Sequence, residues 1–347
     1  MARHTYGGRD WMMGEFDNWM GSPDHLTFGV EADGALVAIE DVALVDAGQT
    51  AWLQALRVHP SQRGKGLARR LQQHLVELSL TRFPTIHQIR YTTGTWNKAS
   101  LKLAAACGLS AAFEWGVAFA EAFPDTAAAA AAAAERGKPD SAAANFFPTV
   151  FADYRGHLVA AAVELGAAEL LGGAECAALP GLAGPAAIKA EAGGTSFASG
   201  TAAEVVALAE MPGGVVPVPP VWIADWKCVS RTRDALDALV ARKGWACRVL
   251  RVADGTAGAY CFGMTRKDFT GLVRVVTIGA QHIVGSEGSA RAMAAILLAA
   301  EVAKAEADGA DCFMAFYDTA VQRWLGEIGL DAGHRTVLLE RKVEGGQ

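Results

Sequence analysis

"RVHPSQRGKGLARRLQQHL", residues 57–75, sets two glycines among cations directly ahead of a helical pattern. Gly64 and Gly66 alternate with Arg63 and Lys65. The strand-like run "LQALRV" and a His59-Pro60 bend come first, and Leu67-Ala68 open the helix. A helix start leaves its first backbone N–H groups unpaired and carries the positive end of the helix dipole. Glycine lets an anion approach that backbone with no Cβ in the way, and Arg63 and Lys65 add charge at the rim. The stretch therefore reads as a phosphate cradle, with a solvated basic turn as the plain alternative.

Two common phosphate loops fail on spacing. A nucleoside-triphosphate loop needs a glycine five residues before the Gly-Lys pair, where His59 stands, and a Ser or Thr after it, where Gly66 stands. A dinucleotide fingerprint needs a third glycine three residues after Gly66, and Arg69 occupies that place.

Working outward, "WMMGEFDNWM" (11–20) spaces Trp11, Phe16 and Trp19 for a short amphipathic helix. Residues 26–31, "ALVAIEDVALVD" and "AWLQALRV" predict three strands, separated by the turns "ADG" and "AGQ". A helix from Leu67 to about Leu80, the strand "IHQIRYTT", the helix "NKASLKLAAAC" ended by Gly108, and the strand "FEWGVAFAEA" follow. Hairpins leading into crossover helices give an α+β, mixed α/β fold. Residues 1–122 form the first predicted domain, 123–145 an alanine-rich linker, and 146–347 the second domain. Residues 146–210 read as mostly helical, and "MPGGVVPVPP" as extended. Beyond it the rhythm returns: "ACRVLRV", "AYCFGMT", "LVRVVTIGAQHI", a helix from near Ser289, "DCFMAFYD", "TAVQRWLGEIGL" and "HRTVLLER". Asp33 to Gly108 and Asp254 to Gly329 each span 75 residues, which suggests two copies of one fold. Mixed sheets of similar rhythm are the alternative.

Acids outnumber Lys and Arg by 37 to 31, a balance that argues against nucleic acid as the main partner. No apolar run approaches the about 18 residues that span a bilayer, and "MARHTYGGRDWMM" lacks the apolar core of a signal peptide. The six cysteines are not closely paired, so neither zinc nor redox spacing appears and no metal is expected. Free thiols suit a reducing, cytoplasmic setting.

The run Arg63-Gly64-Lys65-Gly66-Leu67-Ala68 after a strand, with "NKASLKLAAACGL" downstream, resembles the GNAT superfamily of N-acetyltransferases. "YGGRDWM", "VAIEDVALVDAGQT", "LQALRVHPSQRGKGLARRLQ" and "VWIADWKCV" are similar to its histidine N-acetyltransferase family. The likeness covers residues 6–120 well and 195–345 loosely. It implies a GNAT fold with two tandem units, the second diverged, and acetyl-coenzyme A as co-substrate. It implies that Leu56, Val58, Arg63, Gly64, Lys65, Gly66, Ala68 and Asn97 hold the coenzyme, with the Val58 N–H as oxyanion donor. Tyr6, Asp10 and Trp11 would meet a small amine, such as the α-amino group of histidine or of another free amino acid. A polyamine or a protein N-terminus is an alternative acceptor, and a non-catalytic acyl-coenzyme A binder is the alternative class.

The chain also departs from that pattern. Only five residues precede Tyr6, where relatives have a first strand. Ala104 stands where many relatives carry a proton-donating tyrosine, and Gln54 where many carry a glutamate. Glu40 is then the expected base, to free the neutral amine that attacks a thioester; the alternative is that Glu40 or Asp41 faces solvent on an alternating strand. His59 is either a bend residue or a proton relay. In the second copy "VGSEGSAR" puts Glu287 where the first has its lysine, and an anion there repels a pyrophosphate. The oligomeric state is not legible.

Overall fold

The turn "ADG" forms with Asp33 at φ 53° and Gly34 at φ 72°, and closes an antiparallel hairpin between β1 (His25–Ala32) and β2 (Ala35–Val45). This computed structural model describes residues 12–121, 149–165, 199–242, 244–252, 254–268, 271–328, 330 and 335–343. Helix α1 (Met12–Met20) precedes the hairpin, and β3 (Thr50–Val58) returns antiparallel to β2. Then come α2 (Leu67–Arg82), β4 (Gln88–Gly94), α3 (Lys98–Ala106) and β5 (Ser110–Glu121). β4 runs parallel to β3, as a strand–helix–strand crossover requires.

The later chain supplies β6 (Thr149–Val150), α4 (Phe151–Glu164), β7 (Ser199–Gly200), α5 (Ala202–Ala209), β8 (Val221–Ala224), β9 (Lys227–Ser230) and α6 (Arg233–Val240). It continues with β10 (Trp245–Arg251), β11 (Ala257–Asp268), β12 (Gly271–His282), α7 (Glu287–Ala307), β13 (Cys312–Tyr317), α8 (Thr319–Glu327) and β14 (Arg335–Lys342). From β10 onward the succession of strands and helices repeats that from β1 to β5. The sequence reading missed β8, β9 and α6, and started α7 two residues late. Of the stretch 146–210, α4 and α5 are helical as expected, and 166–198 lies outside the described residues.

Two compact units emerge. One falls within Met1–Glu114, Trp226–Ser230 and Arg335–Gln347, the other within Trp115–Asp225 and Arg231–His334. In the first, Leu75 and Val76 of α2 and Ala104 of α3 pack on Val42, Ile89, Tyr91, Val337 and Leu339. On the opposite face of the sheet, Met12 and Trp19 of α1 cover Ile39 and Ala55. β14 lies antiparallel along β4, Thr336 opposite Gly94 through to Lys342 opposite Gln88. Arg90 Nε meets Glu340 Oε2 at 3.1 Å. Ser230 donates its N–H and Oγ to Asp46 at 2.8 Å each, and Thr92 Oγ1 donates to the Trp226 carbonyl at 2.9 Å.

The first unit is therefore not the contiguous 1–122 expected from the sequence. An open edge of β4 would expose a row of backbone donors and acceptors, and a strand far along the chain covers it.

In the second unit, the sheet orders as β5–β13–β12–β11–β10–β7, with β6 on β5. The alanine-rich α7 is buried along most of its length and packs with Tyr154 and Leu158 of α4. Its Glu301 is buried and paired, with Oε2 accepting from Arg274 Nε at 2.8 Å and Oε1 from Arg248 Nε at 2.8 Å, so the carboxylate is compensated. Among the described residues no helix is long and apolar enough to cross a membrane.

A fragment of residues 1–122 lacks both late segments. It is expected to melt without a cooperative transition by circular dichroism, whereas the full chain melts sharply. A sharp transition in the fragment alone counts against this account of the unit.

Candidate functional site

β3 and β4 pair only at Thr50–Gln88, Ala51–Ile89 and Trp52–Arg90, then part. A β-bulge in β3 stands where they separate. Ile39 faces Arg57 and Asp41 faces Gln54, so Ala55 and Leu56 together oppose Glu40. Ala55 takes φ 59°, a left-handed conformation unusual for a residue with a Cβ. Beyond the bulge Ala38 faces Val58, and the His59 N–H donates to the Val37 carbonyl at 2.8 Å. That bond makes Ala38–Val58 a non-hydrogen-bonded pair, so the N–H and C=O of Val58 turn away from β2 toward the parted side. Arg63 Nε reaches back to the Val58 carbonyl at 3.2 Å, and Arg57 Nη1 donates to the Leu56 carbonyl at 3.0 Å.

The loop then turns into α2. His59 caps a short 3-10 turn (Pro60–Gln62): its Nδ1 accepts from the Ser61 N–H at 3.3 Å and lies 2.8 Å from Ser61 Oγ. These bonds fit the bend reading of His59. Gly64 and Gly66 take φ 77° and 75°, and a Cβ at either would meet nothing within 4 Å. The conformation selects glycine here, and the space beside it is open. Gly66 is the N-cap of α2 and has no side chain to bond the first-turn amides. The first helical bond runs from Arg70 N–H to the Gly66 carbonyl, so the amides of Leu67, Ala68 and Arg69 are the end-of-helix donors. Arg63, Gly64, Lys65 and Gly66 are exposed, and Lys65 Nζ donates to Gln62 Oε1 at 2.8 Å. Backbone donors and two cations thus gather at the open end of the parted strands.

Asn97 caps α3: its Oδ1 accepts from the Ser100 N–H at 3.2 Å and its Nδ2 donates to Thr93 Oγ1 at 3.1 Å. Ala104 is buried in the core of the same helix, so no hydroxyl comes from that position. Tyr6, Asp10 and Trp11 lie outside the described residues.

Glu40 and Asp41 point to opposite faces of β2, and neither reaches solvent: their exposures are 1% and 0%. The alternative reading, that one of them faces water, fails because both faces of the sheet are covered. Glu40 lies on the α2–α3 side, close enough to Tyr91 and Cys107 to raise both their pKa values. Burial first, and the Asp41 charge second, hold its carboxyl well above the usual carboxylate range. Its Oε2 has no hydrogen-bond partner among the described residues.

Asp41 is the opposite case, and the sequence reading missed its partners. His25 Nδ1 meets its Oδ2 at 2.8 Å, Gln54 Nε2 donates to the same oxygen at 2.7 Å, and Thr27 Oγ1 donates to Oδ1 at 2.7 Å. The His25 ring stacks on Trp19 with centroids 6.1 Å apart and planes 8° apart. Thr27 faces Asp41 across β1 and β2, and Asp41 faces Gln54 across β2 and β3, so correct register would have exposed the cluster.

The corresponding place in the second unit differs. β11 and β12 pair without a break from Ala257–His282 to Asp268–Gly271, so no bulge forms. β12 and β13 stay paired over six positions, Val273–Cys312 to Ile278–Tyr317. Glu287, the first residue of α7, accepts from Arg291 Nη2 at 2.6 Å and lies 3.5 Å from Arg323 Nη2.

Residues 2–109 match the family model described as "Acetyltransferase (GNAT) family". A histidine N-acetyltransferase of Xenopus tropicalis is 34% identical over 92 residues, 26% of this chain and 28% of that protein. A histidine N-acetyltransferase of Oreochromis niloticus is 32% identical over 92 residues, 26% of this chain and 27% of that protein. The chain thus spans little more than a quarter of the length of these curated relatives. A solved acetyltransferase of the GNAT family from Streptococcus pneumoniae aligns at 15% identity and TM-score 0.27, over 30% of this chain and 62% of that one.

Glu40 carries a pH-dependent consequence for stability. Its carboxyl holds the proton more tightly in the folded chain than its ordinary value of 4.5. Above that value the unfolded chain sheds the proton first, so rising pH favours unfolding. Glu40→Gln removes this penalty. The variant is expected to gain stability over the wild type at about pH 8 and to lose the advantage at about pH 4, as read by chemical denaturation. An equal difference at both pH values overturns the assignment.

Proposed function

We propose that the first unit, whose residues 2–109 match the GNAT family model, binds acetyl-coenzyme A and transfers its acetyl group to the amine of a small molecule. The observation that carries this reading is the parting of β3 and β4 directly upstream of the glycine turn. A thioester carrier needs a slot for an extended arm and a cradle for its diphosphate, and here the two adjoin. In this reading the first-turn amides of α2 and the backbone at Gly64 and Gly66 take the diphosphate, with Arg63 and Lys65 at its rim and Ala68 within the first turn. Leu56 and Val58 offer backbone groups to the arm, and the Val58 N–H stabilises the negative charge that develops on the thioester oxygen. Asn97 acts mainly by fixing the start of α3 beside the slot. Tyr6, Asp10 and Trp11 remain the proposed acceptor contacts. A free amino acid is the favoured acceptor, histidine foremost, because the curated relatives bear that name.

Glu40, the base expected from the sequence, is enclosed on the helix side, and burial holds its carboxyl well above the usual carboxylate range. We assign it no proton-transfer step. The missing tyrosine at Ala104 leaves the departing thiolate to take its proton from the acceptor nitrogen or from water. A coenzyme A thiol, with a pKa of about 8.5 by analogy with cysteine, tolerates that. The second unit we read as a diverged copy of the same fold with no coenzyme site, because its strands stay paired and its helix start holds Glu287. The buried thiols of Cys107, Cys228, Cys247 and Cys261 suit a reducing cytoplasm.

The second reading is a non-catalytic acyl-coenzyme A binder, favoured by Ala104 and by Gln54, which is committed to Asp41. A thiol-release assay with a panel of free amino acids and polyamines separates the two. Amine-dependent release supports transfer, whereas calorimetric binding of acetyl-coenzyme A without release with any amine supports the binder.

Calorimetry is expected to give one acetyl-coenzyme A per chain. The double substitution Lys65→Glu, Gly66→Val should weaken that binding at least about tenfold, since it places an anion at the cradle and a β-branched residue at a left-handed φ. Unchanged affinity removes the cradle, and two sites per chain overturn the reading of the second unit.

A further inference from the structure

We infer that His25, held by Asp41, is the group that takes the acceptor's proton; this rests on the acetyl-transfer reading above. Asp41 is fully buried and its carboxylate accepts from three side chains. Because a carboxylate only accepts, the 2.8 Å contact puts a hydrogen on His25 Nδ1, so in the neutral ring the lone pair sits on Nε2. Nε2 has no hydrogen bond among the described residues. The His25 side chain keeps 15% of its surface exposed while that of Asp41 keeps none, so the ring is anchored at one nitrogen without being sealed from solvent. Trp19 covers one ring face and fixes its plane. The groups facing His25 are Asp41 from β2, Gln54 through the shared oxygen from β3, and the uncharged Trp19 from α1.

The place suits the role. Gln54, bonded to the same Asp41 oxygen as His25, directly precedes the bulge residues Ala55 and Leu56, where β3 turns its backbone toward the slot. Glu40 lies on the other face of β2, among the helices. The step balances as follows. An acceptor ammonium gives one proton to His25 Nε2, and the resulting imidazolium is compensated by Asp41. The freed nitrogen lone pair attacks the thioester carbonyl carbon, and the C–S bond breaks. The nitrogen's remaining excess proton goes to the departing thiolate, and His25 returns its proton to solvent. His25 is the catalytic residue here and Asp41 a positioning residue.

The test uses the full chain. His25→Asn keeps an amide donor near the Nδ1 position and removes Nε2. It is expected to lower kcat about a hundredfold or more, with acetyl-coenzyme A affinity and melting temperature held near wild type. His25→Ala should lose turnover equally and regain part of it with free imidazole in the buffer. Asp41→Asn should lower kcat more than it changes KM. His25→Asn turning over at the wild-type rate, or His25→Ala turning over at the wild-type rate or gaining nothing from imidazole, overturns the inference. Should the alanine variant not fold, the asparagine variant alone decides. If the wild-type chain itself releases no thiol with any amine, the acetyl-transfer reading fails instead, and the two failures are told apart.

Discussion

The first unit depends on two parallel strands that stop pairing after three positions. Parallel strands joined by a crossover helix ordinarily stay zipped, because each unmade rung leaves a backbone donor and an acceptor without a partner. Here the bulge at Ala55–Leu56 turns β3 out of register, and the antiparallel bond from His59 to Val37 fixes which way Val58 points. The second unit shows the ordinary outcome, since β12 carries no bulge partner and β13 follows it for six positions. One inserted residue thus separates a strand pair that can admit a ligand from one that is closed.

Two adjacent acids on β2 show how a sheet covered on both faces divides its charges. Asp41 is met by three side-chain donors in a polar cluster, whereas burial first and the Asp41 charge second hold the Glu40 carboxyl well above the usual carboxylate range. Their side chains start one residue apart, and the difference lies in their neighbours: Asp41 shares its face with His25 and Thr27 of β1 and Gln54 of β3, while Glu40 faces α2 and α3. A carboxyl without donors is costly to ionise in such a place, which is why burial raises Glu40 while Asp41 sits among three donors.

Much of this architecture was legible in the chain. Alternation gave the strands, the "ADG" turn gave the hairpin, and the glycines at 64 and 66 marked the start of α2 where it occurs. What escaped the reading was whatever depends on register or on distant partners. Nothing local in "AWLQALRV" announces a bulge at Ala55, since alanine is not the residue that a left-handed φ prefers. His25 and Asp41 are sixteen residues apart and meet only once the hairpin register is known. The sequence pattern of β2 also hid that helices cover both of its faces, which is why solvent beside Glu40 or Asp41 stood as an alternative. The boundary of the first unit escaped for the same reason, because pattern reading works within windows and β14 lies far outside that of β4.

That distance also bears on how the chain is made. Arg90 and Glu340 are separated by 250 residues, and a ribosome adds roughly 5–20 residues each second. The nascent chain therefore carries β4 for some tens of seconds before its neighbour exists. Throughout that interval the strand carrying Ile89 and Tyr91 has no β14 along its edge, the situation in which intermolecular strand pairing can begin. Completion of the first unit therefore waits for residues made much later.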